Sequence, residues 1–127
     1  MDRNLPTAQQ LDDLRNLPAD TPFVMVNLLR YRDHADGTSG AAAYQRYANV
    51  MLPMLAECGA RVLWAGKTKS VFIGGEDDRW DSVLLVEYPS AEAFLEMVSS
   101  PAYASANEDR LLAVERTVLM VTQGVGL

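Results

Sequence analysis

The sequence predicts an α+β fold, a four-stranded antiparallel sheet with its main helices on one face. Three observations predict it. Four runs rich in apolar residues, Phe23 to Arg30, Ala60 to Gly66, Ser82 to Tyr88 and Arg116 to Thr122, read as strands. Segments of helical period separate the first run from the second and the third from the fourth, whereas the second and third are joined by a polar connection. With 127 residues, 49% hydrophobic and 22% charged, the chain suits one globular core. No repeat, low-complexity tract or linker divides it, so residues 1–127 are expected to form a single domain with 1–20 as a helical N-terminal extension.

The elements follow in order. Thr7 and Gln10 have capping-box spacing, and Leu11, Leu14 and Leu17 recur every third residue, which predicts a helix ended by Pro18. Pro22 precedes the first strand. Tyr31 to Gly40 reads as a loop. Ala41 to Cys58 has apolar or aromatic residues at helical spacing, among them Tyr44, Tyr47, Met51 and Leu55, and Gly59 is a stop signal. Pro53 removes a backbone donor inside this helix and predicts a kink or a break. Ala60 to Gly66 is the second strand, which Val71 to Ile73 could continue past an irregularity at Lys67 to Lys69. Gly74 to Asp81 is a polar connection, and Ser82 to Tyr88 is the third strand. Ser90 caps a helix, with Glu92 in its first turn. Ser100-Pro101 starts another that runs to about Leu112, since proline favours the first helical position. Arg116 to Thr122 closes the sheet. The order strand–helix–strand–strand–helix–strand is the split βαβ, or ferredoxin-like βαββαβ, arrangement.

An antiparallel sheet with one wet face alternates apolar and polar residues. Phe23-Val24-Met25-Val26, Val83-Leu84-Leu85-Val86 and Val118-Leu119-Met120-Val121 are apolar on both faces. Each large side chain left in water forgoes about 1.5–3 kcal/mol of burial. A second copy of the chain is the simplest cover for the face without helices, so a homodimer through sheet faces is expected. The alternative is that the N-terminal helix closes that face.

Charge and cysteine content exclude several classes. Seventeen acidic against eleven basic side chains give a net charge of −6, which repels phosphate backbones and argues against nucleic acid. No apolar run approaches the roughly 20 residues that cross a bilayer, so no membrane partner is expected. Met1 to Leu5 lacks the regions of a signal peptide, and the single Cys58 fits a reducing compartment. A cytoplasmic location is expected.

Several stretches resemble one family. They are Val26-Asn27-Leu28; Tyr47 with Val50 and Pro53; Gly59-Ala60-Arg61; Glu87-Tyr88-Pro89-Ser90; and Ser100-Pro101-Ala102-Tyr103 with Arg110 downstream. In this order and spacing, across about Pro22 to Val121, the chain resembles the domain-of-unknown-function family numbered 1330, within the dimeric α/β-barrel superfamily. The resemblance implies two ferredoxin-like sheets packed face to face. Similar proteins usually carry a basic residue near the position of Ala65. Here the site offers Trp64 and Ala65, so no anion contact is expected from it.

Candidate site residues each carry two readings. Asn27 interrupts an apolar strand, where its amide either holds a ligand's polar atom or bonds to neighbouring backbone. Glu87 ends another apolar run and either moves a proton beside a dry cavity or pairs with an arginine. Tyr44, Tyr47, Tyr103 and Trp64 supply either an apolar wall with a polar tip for a ligand or ordinary packing. Arg110 either binds an anionic substrate or forms a solvated pair. Whether Asn27 and Glu87 share a face depends on a register that the sequence leaves open. His34 lies between Asp33 and Asp36 without a second His or Cys, so no metal ligand set and no haem are expected. Glu76, Asp77, Asp78 and Asp81 lack the pattern of a calcium loop, and Gly74-Gly75 lacks that of a phosphate loop. No cofactor is expected.

Two functions fit. One is a small-molecule site between sheet and helices for an apolar or aromatic carbonyl-containing metabolite. If catalytic, it would be a cofactor-independent enzyme, with Asn27 and a tyrosine orienting a carbonyl and Glu87 handling a proton. The resemblance adds analogy here, since the wider superfamily includes cofactor-independent oxygenases and isomerases. The other is a non-catalytic dimeric binding or stress-related accessory protein. An enclosed cavity of several hundred Å³ with convergent polar groups favours the first, and a filled interior the second.

Overall fold

The computed structural model describes residues 2–33 and 39–126. Helix α1 (Ala8–Arg15) begins with the expected capping box: the Gln10 backbone N–H donates to Thr7 Oγ1 at 3.1 Å and the Thr7 N–H to Gln10 Oε1 at 2.8 Å. Strand β1 (Phe23–Tyr31) leads to helix α2 (Gly40–Glu57), whose cap Ser39 accepts from the Ala42 N–H. Gly59 takes a φ of +82° after it, a turn that a side chain would strain. Strands β2 (Arg61–Lys67) and β3 (Ser82–Tyr88) follow, then helices α3 (Ala91–Val98) and α4 (Pro101–Ala113), capped by Ser90 and Ser100, and strand β4 (Val114–Thr122). The sheet order is β2-β3-β1-β4, antiparallel throughout, which is the ferredoxin-like arrangement with an added N-terminal helix.

One local expectation is narrowed and another fails. Helix α2 runs through Pro53 without a break. Pro53 and Asn49, whose carbonyl loses its helical donor, are both exposed, so water can satisfy that carbonyl. Val71 to Ile73 adds nothing to β2. Lys67 pairs with Ser82 and the Thr68 N–H reaches the Asp81 carbonyl at 3.0 Å, which closes the hairpin before that segment. Phe72 and Ile73 therefore stand 96% and 87% exposed on the connection.

The register fixes the faces. Phe23, Met25 and Leu29 point to the helices and are at most 4% exposed, joined there by Val86 and Tyr88. Val24, Val26 and Leu28 point the other way, beside Val83 and Leu85 of β3 and Val118 and Met120 of β4. These side chains are half-buried or exposed, and none of the helices packs over them. Helix α1 does not close this open face, because it packs on α3 and its Leu14 joins the core of Phe23, Ala91 and Met97. No described helix is long and apolar enough to cross a membrane.

A β-bulge at Leu63 sets the position of Trp64. Val62 lies opposite Val86, but Trp64 lies opposite Leu85, one residue out of step. Without the bulge the indole would face the helices. With it, the indole lies on the open face, 61% exposed, over Gly66, where a Cβ would come within 2.5 Å of its Nε1.

Candidate functional site

The helix-side surface of the sheet holds a small cavity of about 40 Å³. Five of the predicted site residues line it: Asn27 from β1, Tyr44 and Tyr47 from α2, and Tyr103 and Arg110 from α4. The lining is completed chiefly by Met51, Tyr88, Phe94, Met97, Thr117 and Leu119. Helical spacing explains the convergence. Tyr44 and Tyr47, three apart, share a face of α2 and sit with ring centroids 5.3 Å apart, and Tyr103 meets Tyr47 edge to face at 6.4 Å.

Glu87 and Trp64 do not join them. Glu87 lies opposite Val24 on the open face, whereas Asn27 lies opposite Leu84 on the helix face, so the two polar residues are on opposite sides of the sheet. Glu87 accepts from Arg61 Nε at 2.9 Å in an ion pair at the sheet end, and Arg61's side chain is 70% exposed. A shared mechanism in which Asn27 orients and Glu87 moves a proton is thereby ruled out by geometry. His34 lies outside the described residues. Among those described, no group of three or more His, Cys, Asp or Glu is placed to hold a metal.

The polar atoms at the cavity are unevenly satisfied. Asn27 Nδ2 donates to the Met25 and Leu84 carbonyls, each at 3.1 Å. Thr117 Oγ1 donates to the Leu28 carbonyl at 2.9 Å. Arg110, only 8% exposed, donates from Nε to Asn107 Oδ1 at 2.7 Å and from Nη2 to the Asn4 carbonyl at 2.9 Å. Among the described residues, Asn27 Oδ1, Arg110 Nη1 and the hydroxyls of Tyr44 and Tyr88 have no hydrogen-bond partner. Among the described residues no side-chain polar atom cut off from solvent lacks a partner, so these are atoms that water or a ligand can reach.

Three residues near Arg110 carried little sequence signal. Asn107 precedes it by one helical turn, an i,i+3 spacing that could have been noticed. Thr117 is a polar residue in an apolar run. Asn4 could not have been found. Its side chain accepts from the Thr117 N–H at 2.9 Å and donates to the Glu115 carbonyl at 3.2 Å, which straps the N-terminal segment across the start of β4 beside Arg110.

Burial pushes the phenols of Tyr44, Tyr47 and Tyr88 well above their ordinary range. Neighbouring tyrosines reinforce the shift at Tyr44 and Tyr47, and the Arg110 charge opposes it. At Tyr88 the next cause is Cys58. These phenols are neutral hydrogen-bonding groups near pH 7. Their stability contribution is full below about pH 10, where the unfolded phenols begin to ionise while the folded ones do not. Stability should therefore fall as pH rises above about 10, and fall less in a Tyr47→Phe variant. Urea unfolding at pH 8 and pH 11 measures it, and equal slopes in the two proteins would refute the assignment to Tyr47.

A larger depression of about 480 Å³ lies between the turn after α1 and the face of α3, bordered by Arg15, Asp20, Glu92 and Glu96. It is an open groove with charged edges and holds none of the predicted site residues.

A family model described as Domain of unknown function (DUF1330) matches residues 37–124. A protein of unknown function from Rhodopseudomonas palustris is 33% identical over 100% of both chains, with a TM-score of 0.89. A dimeric protein of unknown function and ferredoxin-like fold from Bacteroides fragilis is 10% identical, with a TM-score of 0.55 over 81% of this chain and 96% of its own. A hydroxynitrile lyase from Passiflora edulis is 12% identical, with a TM-score of 0.60 over 80% of this chain and 92% of its own. The last two likenesses are of fold alone. No curated protein matches.

Proposed function

The chain belongs to the DUF1330 family, and from that premise we propose that it is a homodimeric protein of the cytoplasm that binds a small metabolite through the helix-side cavity of each subunit. The observation that carries this reading is the convergence of Asn27, Tyr44, Tyr47, Tyr103 and Arg110 from three separate elements on one cavity. The volume limits the ligand. About 40 Å³ accommodates one or a few waters, or the polar end of a larger molecule whose body leaves past Leu119, which lines the cavity and is 43% exposed. A carbonyl-containing compound fits the hydroxyl and guanidinium donors.

Catalysis by a carboxylate base is not part of this proposal, because Glu87 is on the other face. The cavity size favours a second reading, a non-catalytic dimeric accessory protein whose polar interior serves only to orient the helices on the sheet. The dimer is common to both readings. It is supported by the uncovered apolar face and by the dimeric state in the name of the Bacteroides fragilis protein. Trp64, on the open face, belongs to that interface rather than to the cavity.

A thermal-shift screen of carbonyl compounds separates the readings, since a ligand selective for the native state raises the melting temperature. With the best compound in hand, Tyr44→Phe should weaken binding about five- to tenfold, the loss of one neutral hydrogen bond. Glu87→Gln should leave affinity unchanged. A screen without any response favours the accessory reading, and equal losses from both substitutions would sink the assignment of the cavity.

A further inference from the structure

We propose that the cavity is a carboxylate site, in which Arg110 receives the carboxylate of a small organic acid or the carboxylate end of a longer one. The proposal rests on the reading of the cavity as a ligand site and adds the charge of the ligand.

Arg110 is buried on the last turn of α4, and both acceptors that hold it are neutral, the Asn107 side-chain amide and the Asn4 backbone carbonyl. Among the described residues no carboxylate lies within 4.0 Å of it. The acidic neighbours on its own helix are engaged elsewhere or turned outward. Asp109 faces Arg46 at 3.5 Å, and Glu108 is exposed. A guanidinium withdrawn from water without a counter-charge is costly, and proteins keep such groups paired or use them to bind. The remaining amino group, Nη1, is among the atoms that a ligand can reach.

Apart from Asn27 Oδ1, an acceptor that a carboxylate must avoid, the other groups around the cavity suit one negative charge. Among the described residues the Tyr44 hydroxyl engages no partner and lies in the Arg110 field, and Tyr47 feels the same field. The Asn27 donors and the Thr117 hydroxyl are spent on backbone carbonyls. A carboxylate can take one oxygen to Nη1 and the other to a phenol, in charge-assisted bonds stronger than those a neutral carbonyl makes. Methionine and aromatic side chains form much of the remaining wall, which suits the short apolar body of such an acid. With only one cation and about 40 Å³, the cavity offers poor accommodation to a phosphate dianion.

The test uses acetate and propionate against their uncharged shape-mates acetamide and propionamide, with phosphate and chloride at matched ionic strength. Binding is read by titration calorimetry and by chemical-shift changes in the 127-residue chain. The expected result is carboxylate binding at least about tenfold tighter than amide binding, with little response to phosphate or chloride. In Arg110→Met the carboxylate preference should disappear, while in Arg110→Lys it should survive in weakened form because the charge remains but the planar fork does not. If Arg110→Met does not fold, the wild-type comparison of acid with amide decides. Equal binding of acids and amides would overturn the carboxylate assignment and leave the cavity as a ligand site. Phosphate binding as tight as acetate would overturn it too. Failure of acids and amides alike to shift resonances of cavity residues would overturn the underlying reading of a ligand site as well.

Discussion

Val26→Asp converts the protein to a monomer and leaves the subunit folded. Val26 is at the middle of the open face, opposite Leu85 on one side and Met120 on the other. In a lone subunit it is half-buried on a surface that water reaches, so a carboxylate there stays solvated and the fold survives. In the proposed dimer the same atoms meet a second sheet, and an unpaired charge is enclosed. Such a charge costs about 3–5 kcal/mol, which weakens association on the order of a thousandfold. Sedimentation velocity at micromolar concentration should show the wild type as a dimer and the variant as a monomer, with matching far-ultraviolet circular dichroism. A monomeric wild type, or a variant that remains dimeric, would show that this face is not the interface.

The largest loss of stability should come from Phe23→Ala. Phe23 is 1% exposed at the centre of the helix-side core. Its ring stacks on Tyr88 at 5.4 Å and meets Phe94 edge-on at 6.2 Å, while Tyr88 and Phe94 meet each other at 4.9 Å. Removing it opens a cavity that the flanking rings cannot fill without abandoning those contacts, at a cost of about 3–5 kcal/mol. Leu63→Ala, at the exposed bulge of the edge strand, should change stability by no more than about 0.5 kcal/mol. Urea unfolding of both variants at one fixed protein concentration provides the comparison. A loss below about 1 kcal/mol at Phe23 would mean that the aromatic cluster is not the centre of the core.

The topology was legible because each strand contains a contiguous apolar run and each helix begins with a side chain that caps it, as Thr7, Ser90 and Ser100 do. The double-sided apolar strands also marked the open face correctly. Register was not legible. Asn27 and Glu87 belong to strands that are neighbours in the sheet but distant in the chain, so no turn fixes their alignment, and one residue of slip exchanges the faces. The face of Trp64 was not legible for the same reason, because the bulge beside it is a backbone event with no glycine to announce it. The convergence on Tyr44, Tyr47, Tyr103 and Arg110 was half visible as residues three apart on a helix. The burial of Arg110 was not, since its neutral acceptor on Asn4 comes from 106 residues away.

The bulge at Leu63 gives the molecule an internal optical label. Its two tryptophans sit in unlike surroundings. The Trp64 indole lies uncovered on the open face, and the Trp80 ring has the Arg30 guanidinium carbon 4.8 Å from its centroid. Whatever comes to cover the sheet around Trp64 takes water away from its indole, and its emission moves to shorter wavelength, while the Trp80 ring keeps the Arg30 cation beside it. Intrinsic fluorescence can therefore follow coverage of this face without any attached dye, and substitution of Trp80 by phenylalanine would leave that signal to a single residue.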